Sequence, residues 1–114
     1  MIRRAADMAF DERANLRGGN GSIRFVHLLQ SDETFGKSRL AAKLILPPGA
    51  SIGEHDHVAE AEMYLIVSGE AAVTDNGQVE ILRAGDVMFT GDGNFHSIEN
   101  RGAENLEVYA IIFN

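Results

Sequence analysis

Three of the four histidines and one glutamate have residue types and spacing suited to binding a metal ion. His55 and His57 are separated by one residue, so on an extended strand both imidazoles leave the same face. Glu62 begins the next apolar segment, and antiparallel pairing of that segment with residues 51–57 would bring its carboxylate to the two imidazoles. His96 must then come from elsewhere in the fold.

Neutral imidazoles and a carboxylate suit divalent first-row metals, and the absence of thiolates disfavours a soft-metal site. We therefore expect one divalent transition metal ion, with Mn, Fe, Ni and Zn as the main candidates and Co and Cu also compatible. Six-coordination would leave two positions open for substrate or water. The alternative is that the histidines are exposed or packed in the core, as single histidines usually are, but the joint spacing favours a metal site.

Three further residues are candidates for acid or base chemistry. Tyr64 shares the strand face of Glu62, so its hydroxyl could bond a ligand or bound water, although a half-buried core tyrosine is the commoner case. His27 lies on the face of Phe25 and could shuttle protons, or it could simply be packed or interfacial. Glu60 could act as a general base near the metal, or be a solvated residue beside a turn.

Other residues could contribute to a binding cavity. Arg39 and Lys43 share a segment and could receive a substrate carboxylate, although a solvated or interfacial role suits them equally well. Several apolar residues could form the cavity wall, or equally an ordinary core: Leu44, Ile66, Val73, Phe89 and Phe95.

The length and composition predict a single domain over residues 1–114. A chain of this size buries enough surface to fold without a metal or disulfide staple, so a bound metal would be functional. The absence of cysteine excludes disulfides, thiolate zinc sites, iron–sulfur clusters and a cysteine nucleophile. Together with the lack of an apolar signal segment or membrane-length run, it leads us to expect a cytoplasmic protein.

The charge is unevenly distributed. Residues 1–50 carry eight Lys or Arg against five Asp or Glu, whereas residues 51–114 carry two against twelve, within a net charge of −7. Nucleic-acid binding needs a basic stripe, which the second half lacks, so we expect no nucleic-acid partner.

The pattern of apolar segments predicts an all-β fold. Residues 1–22 are expected to form an N-terminal arm, with residues 5–16 as a helical turn or irregular chain and 18–21 as a loop. Short segments then follow, separated by Gly, Asn and Asp: 23–29, 39–46, 51–57, 61–68, 70–75, 78–83, 86–90, 95–100 and 106–113. Asn76-Gly77 is typical of a type I′ hairpin turn. No helix of crossover length intervenes, so residues 23–114 should form a jelly roll or closed barrel.

The same residues resemble the two sequence motifs of the cupin superfamily. The first motif reads Gly49-ASIGE-His55-Asp56-His57-VAEA-Glu62-MYLIVS-Gly69. The second reads Gly85-DVMFT-Gly91-Asp92-Gly93-NF-His96-SIE-Asn100. Gly91 stands where the family usually has proline. The resemblance is to the small, single-domain bacterial cupins, some of which are described as oxalate-decarboxylase-like.

This resemblance implies a double-stranded β-helix, that is, a jelly-roll β-barrel. It implies that four residues are the metal ligands: His55, His57, Glu62 and His96. It also assigns turn or close-approach positions to Gly49, Gly69, Gly85 and Gly93, for which a permissive φ is the physical reason. Asn100 is expected to anchor a turn or strand end.

Two functions are compatible with these features. The first is a metalloenzyme acting on a small oxygen-rich molecule such as a dicarboxylate, keto acid, diketone or sugar derivative, by decarboxylase, dioxygenase, lyase or isomerase chemistry. The second is a non-catalytic module that binds a metal or small ligand.

We also expect a homodimer, in which residues 1–29 lend a strand to a partner's sheet edge. The segments Ile23–Leu29 and Tyr109–Phe113 are the expected interface elements.

Overall fold

A computed structural model describes all residues, 1–114, and shows an antiparallel β-barrel. The strands are β1 (Phe10–Ala14), β2 (Ser22–Leu29), β3 (Ser38–Leu46), β4 (Ser51–Asp56), β5 (Ala61–Ser68), β6 (Ala71–Asp75), β7 (Gln78–Leu82), β8 (Val87–Gly91), β9 (Phe95–Glu99) and β10 (Leu106–Phe113). Short 3-10 turns lie at Ala5–Asp7, Leu16–Gly18 and Asp32–Thr34. The predicted all-β class and the strand positions from residue 23 onward are confirmed.

The strands form two sheets that face each other. One sheet has six strands in the order β1-β2-β3-β10-β5-β8, and the other has four in the order β4-β9-β6-β7. Alternation along the strands buries one face of each sheet: Leu106, Val108, Ala110 and Ile112 of β10 point inward, as do alternate residues of β3 and β5. The inward side chains form a core of 16 buried residues between the sheets.

The N-terminal arm contains a strand that the sequence did not indicate. Residues 10–14 were expected to be a helical turn or irregular chain, but they pair antiparallel with β2, with Phe10 opposite Val26. Cross-strand contacts explain this: the guanidinium of Arg24 lies 4.4 Å from the Phe10 ring centre, and that of Arg13 lies 4.0 Å from the Phe25 ring centre. These contacts come from β2, so residues 5–16 carry no local signal of them.

Two predicted turn features are confirmed. Asn76 and Gly77 both have positive φ (48° and 85°), which allows the tight β6–β7 hairpin. Asn100 is buried, and its side-chain amide donates to the carbonyls of Leu46 and Glu104, both at 2.8 Å. It thereby ties the end of β9 to the end of β3.

No helix of the structure is long and apolar enough to cross a membrane.

Candidate metal centre

The two sheets contribute to the site from opposite sides of the barrel. His55, near the end of β4, lies directly opposite His96 of β9, and His57 follows β4. Glu62 lies on β5, which pairs with β10 and β8 and not with β4. The expected antiparallel pairing of residues 61–66 with 51–57 is therefore wrong. The carboxylate reaches the imidazoles across the barrel interior, because Glu62 and the histidines belong to facing sheets.

The four donor groups converge on one point. The Nε2 atom of His96 lies 3.0 Å from that of His55 and 3.1 Å from that of His57. The Oε1 atom of Glu62 lies 3.0 Å from His57 Nε2, 3.1 Å from His96 Nε2 and 3.8 Å from His55 Nε2. Ligands at right angles around an ion with bonds of about 2.1 Å lie about 3.0 Å apart. The spacing therefore fits a single ion.

Hydrogen bonds at the other ring nitrogens orient the imidazoles. The Nδ1 atom of His55 bonds the Gly53 carbonyl at 2.8 Å, and that of His57 bonds Glu60 Oε1 at 2.9 Å. Both acceptors lack a hydrogen, so Nδ1 must donate, and in the neutral rings Nε2 then carries a lone pair. His96 Nδ1 contacts the buried Thr90 hydroxyl at 2.9 Å. The Nε2 lone pair of His57 faces the Glu62 Oε1 atom at 3.0 Å, and two such lone pairs repel unless a cation lies between them, so this donor set fits a metal ion.

Burial and charge make the centre attractive to a cation. Burial by itself would raise the pKa of the Glu62 carboxyl, but its close contacts with the three imidazoles, which favour the ionised carboxylate, outweigh burial and lower the pKa. The contact with the Glu62 carboxylate, which favours the protonated imidazole, raises the pKa of His57, whereas burial lowers the pKa of His96. An ionised carboxylate enclosed with three imidazole nitrogens is the donor set that divalent metals favour.

A cavity of about 330 Å³ opens beside the donor cluster. His55, His57, Glu62 and Tyr64 line it together with three arginines, Arg13, Arg17 and Arg39. Of the predicted wall residues, Leu44 lines the cavity, whereas Ile66 and Val73 lie in the core without reaching it. Phe89 and Phe95 were wrongly expected there: their side chains are 65% and 37% exposed, because they lie on the outward faces of β8 and β9.

The structure gives Glu60 fixed partners. Its carboxylate accepts two hydrogen bonds from Arg39, at 2.8 and 2.9 Å, in addition to the bond from His57. These contacts, the Arg39 bonds above all, lower the pKa of Glu60 to about 2. Glu60 is therefore neither solvated nor a free base, and it orients His57. Of the two residues that could receive a substrate carboxylate, Arg39 lines the cavity, whereas Lys43 forms an ion pair with Glu107 at 3.5 Å and does not line it.

The other two catalytic candidates also line the cavity. The Tyr64 ring stacks on His96, with centroids 5.0 Å apart and an interplanar angle of 3°. Burial raises the pKa of the Tyr64 hydroxyl well above its usual value, and the charge of Glu62 adds to this effect, so the phenol stays neutral. The Nε2 atom of His27 hydrogen-bonds Asp11 of β1, which holds that imidazole in place at the cavity wall.

Thr90, Arg13 and Arg17 belong to the site, but the sequence did not single them out. Thr90 lies on β8 after three apolar residues, and nothing in these neighbours indicates its contact with His96. The two arginines lie in the arm, which reaches the cavity through the pairing of β1 with β2 and the packing of the Leu16–Gly18 turn on β4. Only the tertiary structure shows that these three residues belong to the site.

Two facing antiparallel sheets that enclose three imidazoles and a carboxylate define a double-stranded β-helix with a candidate metal centre. The chain belongs to the cupin superfamily, since the family model described as Cupin domain matches residues 42–112. The predicted fold family is thereby confirmed.

Two proteins of similar sequence and one solved structure of similar fold support the assignment to the cupin superfamily. The chain is 43% identical over 112 residues to the oxalate-binding protein of Thermotoga maritima, covering 98% of this chain and 93% of the relative. It is 30% identical to the tetracenomycin polyketide synthase protein TcmJ of Streptomyces glaucescens, over 89% of this chain and 66% of that protein. A crystal structure from Thermotoga maritima, described as a "predicted oxalate decarboxylase", superimposes with a TM-score of 0.95 at 42% identity, covering 99% and 98% of the two chains.

Proposed function

We propose that this protein binds one divalent transition metal ion through His55, His57, Glu62 and His96 and uses it to capture a small dicarboxylate such as oxalate. The observation that carries the proposal is the convergence of the donor atoms, which all lie within 4.8 Å of one another. The resemblance to an oxalate-binding relative over almost the whole chain supports the choice of ligand. Mn, Fe, Ni and Zn are the metals that this donor set suits best.

The cavity supports a small, oxygen-rich ligand. Its volume of about 330 Å³ is at the small end of ligand pockets, and its arginines complement negative charge. A bound divalent ion would supply Lewis-acid polarisation and charge for the ligand oxygens. The chain itself would hold the ion with imidazoles of fixed orientation, and the neutral Tyr64 phenol would offer a hydrogen-bond donor to the cavity.

The contacts around the site favour binding over turnover. A decarboxylase, lyase or isomerase needs a free group to move a proton. Glu60 is held by Arg39 and His57, and the His27 imidazole bonds Asp11. Burial raises the pKa of the Tyr64 phenol well above the usual value for tyrosine, which makes it a weak acid for catalysis. Each catalytic candidate named from the sequence is thus either held by a hydrogen-bonded partner or has a pKa too far from 7 for efficient proton transfer.

Metal analysis followed by calorimetry tests the proposal. We expect the purified protein to hold about one divalent ion per chain, and the metal-loaded protein to bind oxalate in a saturable way. Incubation with oxalate and a panel of other small acids should give no product. Absence of a metal after loading would refute the proposal, and catalytic turnover would show that the enzyme alternative is correct.

We further propose that the protein is a homodimer built on the outer face of β8. This edge strand, Val87–Gly91, carries no charged residue, whereas the other sheet edges β1, β4 and β7 each carry at least one. Charges normally protect an edge strand from pairing. Its outward Phe89 and Val87 are 65% and 56% exposed and lie next to Met63 and Leu65 of β5.

A second copy can bind here because the free edge of β8 can pair antiparallel with β8 of the other copy about a two-fold axis. The apolar surface extends to Ile111 and Tyr109 of β10, which lie beside Met63 and Leu65. Ile111 and Tyr109 belong to Tyr109–Phe113, one of the two segments that the sequence analysis expects at the interface. The other segment, Ile23–Leu29, is covered by β1 of the same chain, so strand exchange through the arm is not part of the proposal.

Sedimentation equilibrium tests the dimer. We expect a mass near twice 12.4 kDa for the wild type and near 12.4 kDa for Phe89→Glu, with the fold retained because Phe89 is exposed. Phe35→Glu is the matched control, since Phe35 is 90% exposed on the turn before β3 and belongs to none of the strands of the proposed interface. A monomeric wild type, or equal dissociation by the control, would refute this interface.

The cytoplasmic location expected from the sequence remains a prediction. Fractionation of the producing cells, followed by immunodetection, would test it.

A further inference from the structure

We propose that Arg17 forms a second anion subsite in the cavity lining, where it binds the carboxylate oxygens of a dicarboxylate that point away from the metal centre. This inference rests on the proposed function, and it adds a residue that selects dicarboxylates over monocarboxylates. The cavity lining shared by Arg17, His55 and Tyr64 is the starting observation.

The backbone around Arg17 is held in an unusual conformation. Arg17 has φ 55° and ψ 32°, and Asn15 has φ 52° and ψ 42°, so two non-glycine residues of one short turn are left-handed. Such conformations are uncommon outside glycine and persist where the surrounding structure enforces them. Here the turn Leu16–Gly18 is packed directly against β4, the strand that carries His55.

Two glycines allow this close packing. A Cβ atom built on Gly53 would lie 2.0 Å from the Arg17 carbonyl oxygen, and one built on Gly19 would lie 2.2 Å from the Ser51 carbonyl oxygen. Neither distance is compatible with a side chain. The contact is secured by hydrogen bonds from Ser51 N to Asn20 O at 2.8 Å and from Asn20 N to Ser51 Oγ at 2.9 Å. The position of Arg17 is thus fixed relative to the metal-ligating strand.

Arg17 differs from the other two cavity arginines in lacking a carboxylate partner. Arg13 pairs with Asp11 at 2.7 Å, and Arg39 pairs with Glu60 at 2.8 Å. No carboxylate oxygen lies within 4.0 Å of the Arg17 guanidinium, although the chain has 17 acidic residues. A guanidinium without a partner beside a metal-binding cavity remains available to an anion from solution.

The chemistry of guanidinium defines the ligand class. Its planar, fixed array of donors matches the two oxygens of a carboxylate and forms paired, charge-assisted hydrogen bonds. A monocarboxylate bound at the metal has no second carboxylate for Arg17. A short dicarboxylate such as oxalate has oxygens remaining on the side opposite the ion. The subsite should therefore change oxalate affinity without changing the affinity for acetate.

Calorimetry of the metal-loaded protein with oxalate and with acetate tests the subsite. The Arg17→Gln variant should bind oxalate about 10- to 100-fold more weakly than wild type, because it loses charged hydrogen bonds to the ligand. Its metal content and its acetate affinity should stay within about twofold of wild type. Arg17→Lys, which keeps the charge but not the planar donors, should give an intermediate loss. Arg4→Gln is the matched control, because it removes an exposed, unpaired arginine outside the cavity.

The possible failures are distinguishable. Wild-type protein that holds no metal, or holds metal but no oxalate, would refute the proposed function and the subsite with it. Wild-type oxalate affinity in Arg17→Gln, equal losses for oxalate and acetate, or an equal loss in Arg4→Gln would refute the subsite alone.

Discussion

Replacing Glu60 by glutamine tests whether the orientation of His57 controls metal affinity. Glu60 accepts the hydrogen bond from His57 Nδ1 at 2.9 Å while Arg39 holds the same carboxylate at 2.8 and 2.9 Å. Glutamine has a single acceptor oxygen and no charge, so it cannot serve both partners equally, and its NH₂ group would face one of two donors. His57 would then lose the contact that fixes its ring and increases the basicity of Nε2.

The expected magnitude follows from these contacts. Loss of such a supporting partner typically weakens metal binding about 10- to 100-fold. The effect on stability should be small, about 1 kcal/mol or less, since the Arg39 side chain is 51% exposed and the ion pair is screened by solvent. Glu60→Gln should therefore reduce metal affinity much more than it reduces the free energy of unfolding.

Competition with a chromophoric chelator measures metal affinity, and urea unfolding of the apo protein measures stability. Glu70→Gln is the matched control, because Glu70 pairs with Arg83 at 3.2 Å on the exposed surface and contacts no histidine. If Glu60→Gln binds metal as tightly as wild type, or if Glu70→Gln loses as much affinity, the role assigned to Glu60 is wrong.

Three further outcomes are expected. His57→Ala should lower metal affinity at least about 100-fold yet leave the apo fold intact by circular dichroism, because the core supplies the stability; a disordered chain would show that the metal is structural. Arg3 lowers the pKa of Glu33, and Arg39 lowers the pKa of Glu60, in each case from 4.5 to about 2. The two carboxylates should therefore stabilise the fold above about pH 4.5, and this stabilisation should be lost as the pH falls toward 2. A urea unfolding midpoint that does not change over this pH range would contradict the prediction. Gly53→Ala should destabilise the protein by about 1–3 kcal/mol in urea unfolding, since its Cβ would meet the Arg17 carbonyl; an unchanged midpoint would show that the arm moves aside freely.

Local patterns in the sequence determined most of the strand positions and the identity of the converging donors. Alternation of apolar residues and the Asn76-Gly77 turn depend on residues close in sequence, so the strands from residue 23 to 113 and the hairpin were predictable. The one-residue spacing of His55 and His57 likewise carries its meaning locally, because strand geometry alone places both on one face.

Tertiary structure decided which elements face one another. Strand pairing depends on residues distant in sequence, so β4 pairs with β9 and not with β5, and Glu62 approaches the histidines from the opposite sheet. Long-range contacts likewise turned the polar arm into strand β1 and bonded Glu60 to Arg39. They also placed Arg17 at the cavity through close packing of the arm on Gly53. The strand pairings, the Arg39–Glu60 ion pair and the Arg17–Gly53 contact join residues far apart in sequence, which is why only the folded chain reveals them.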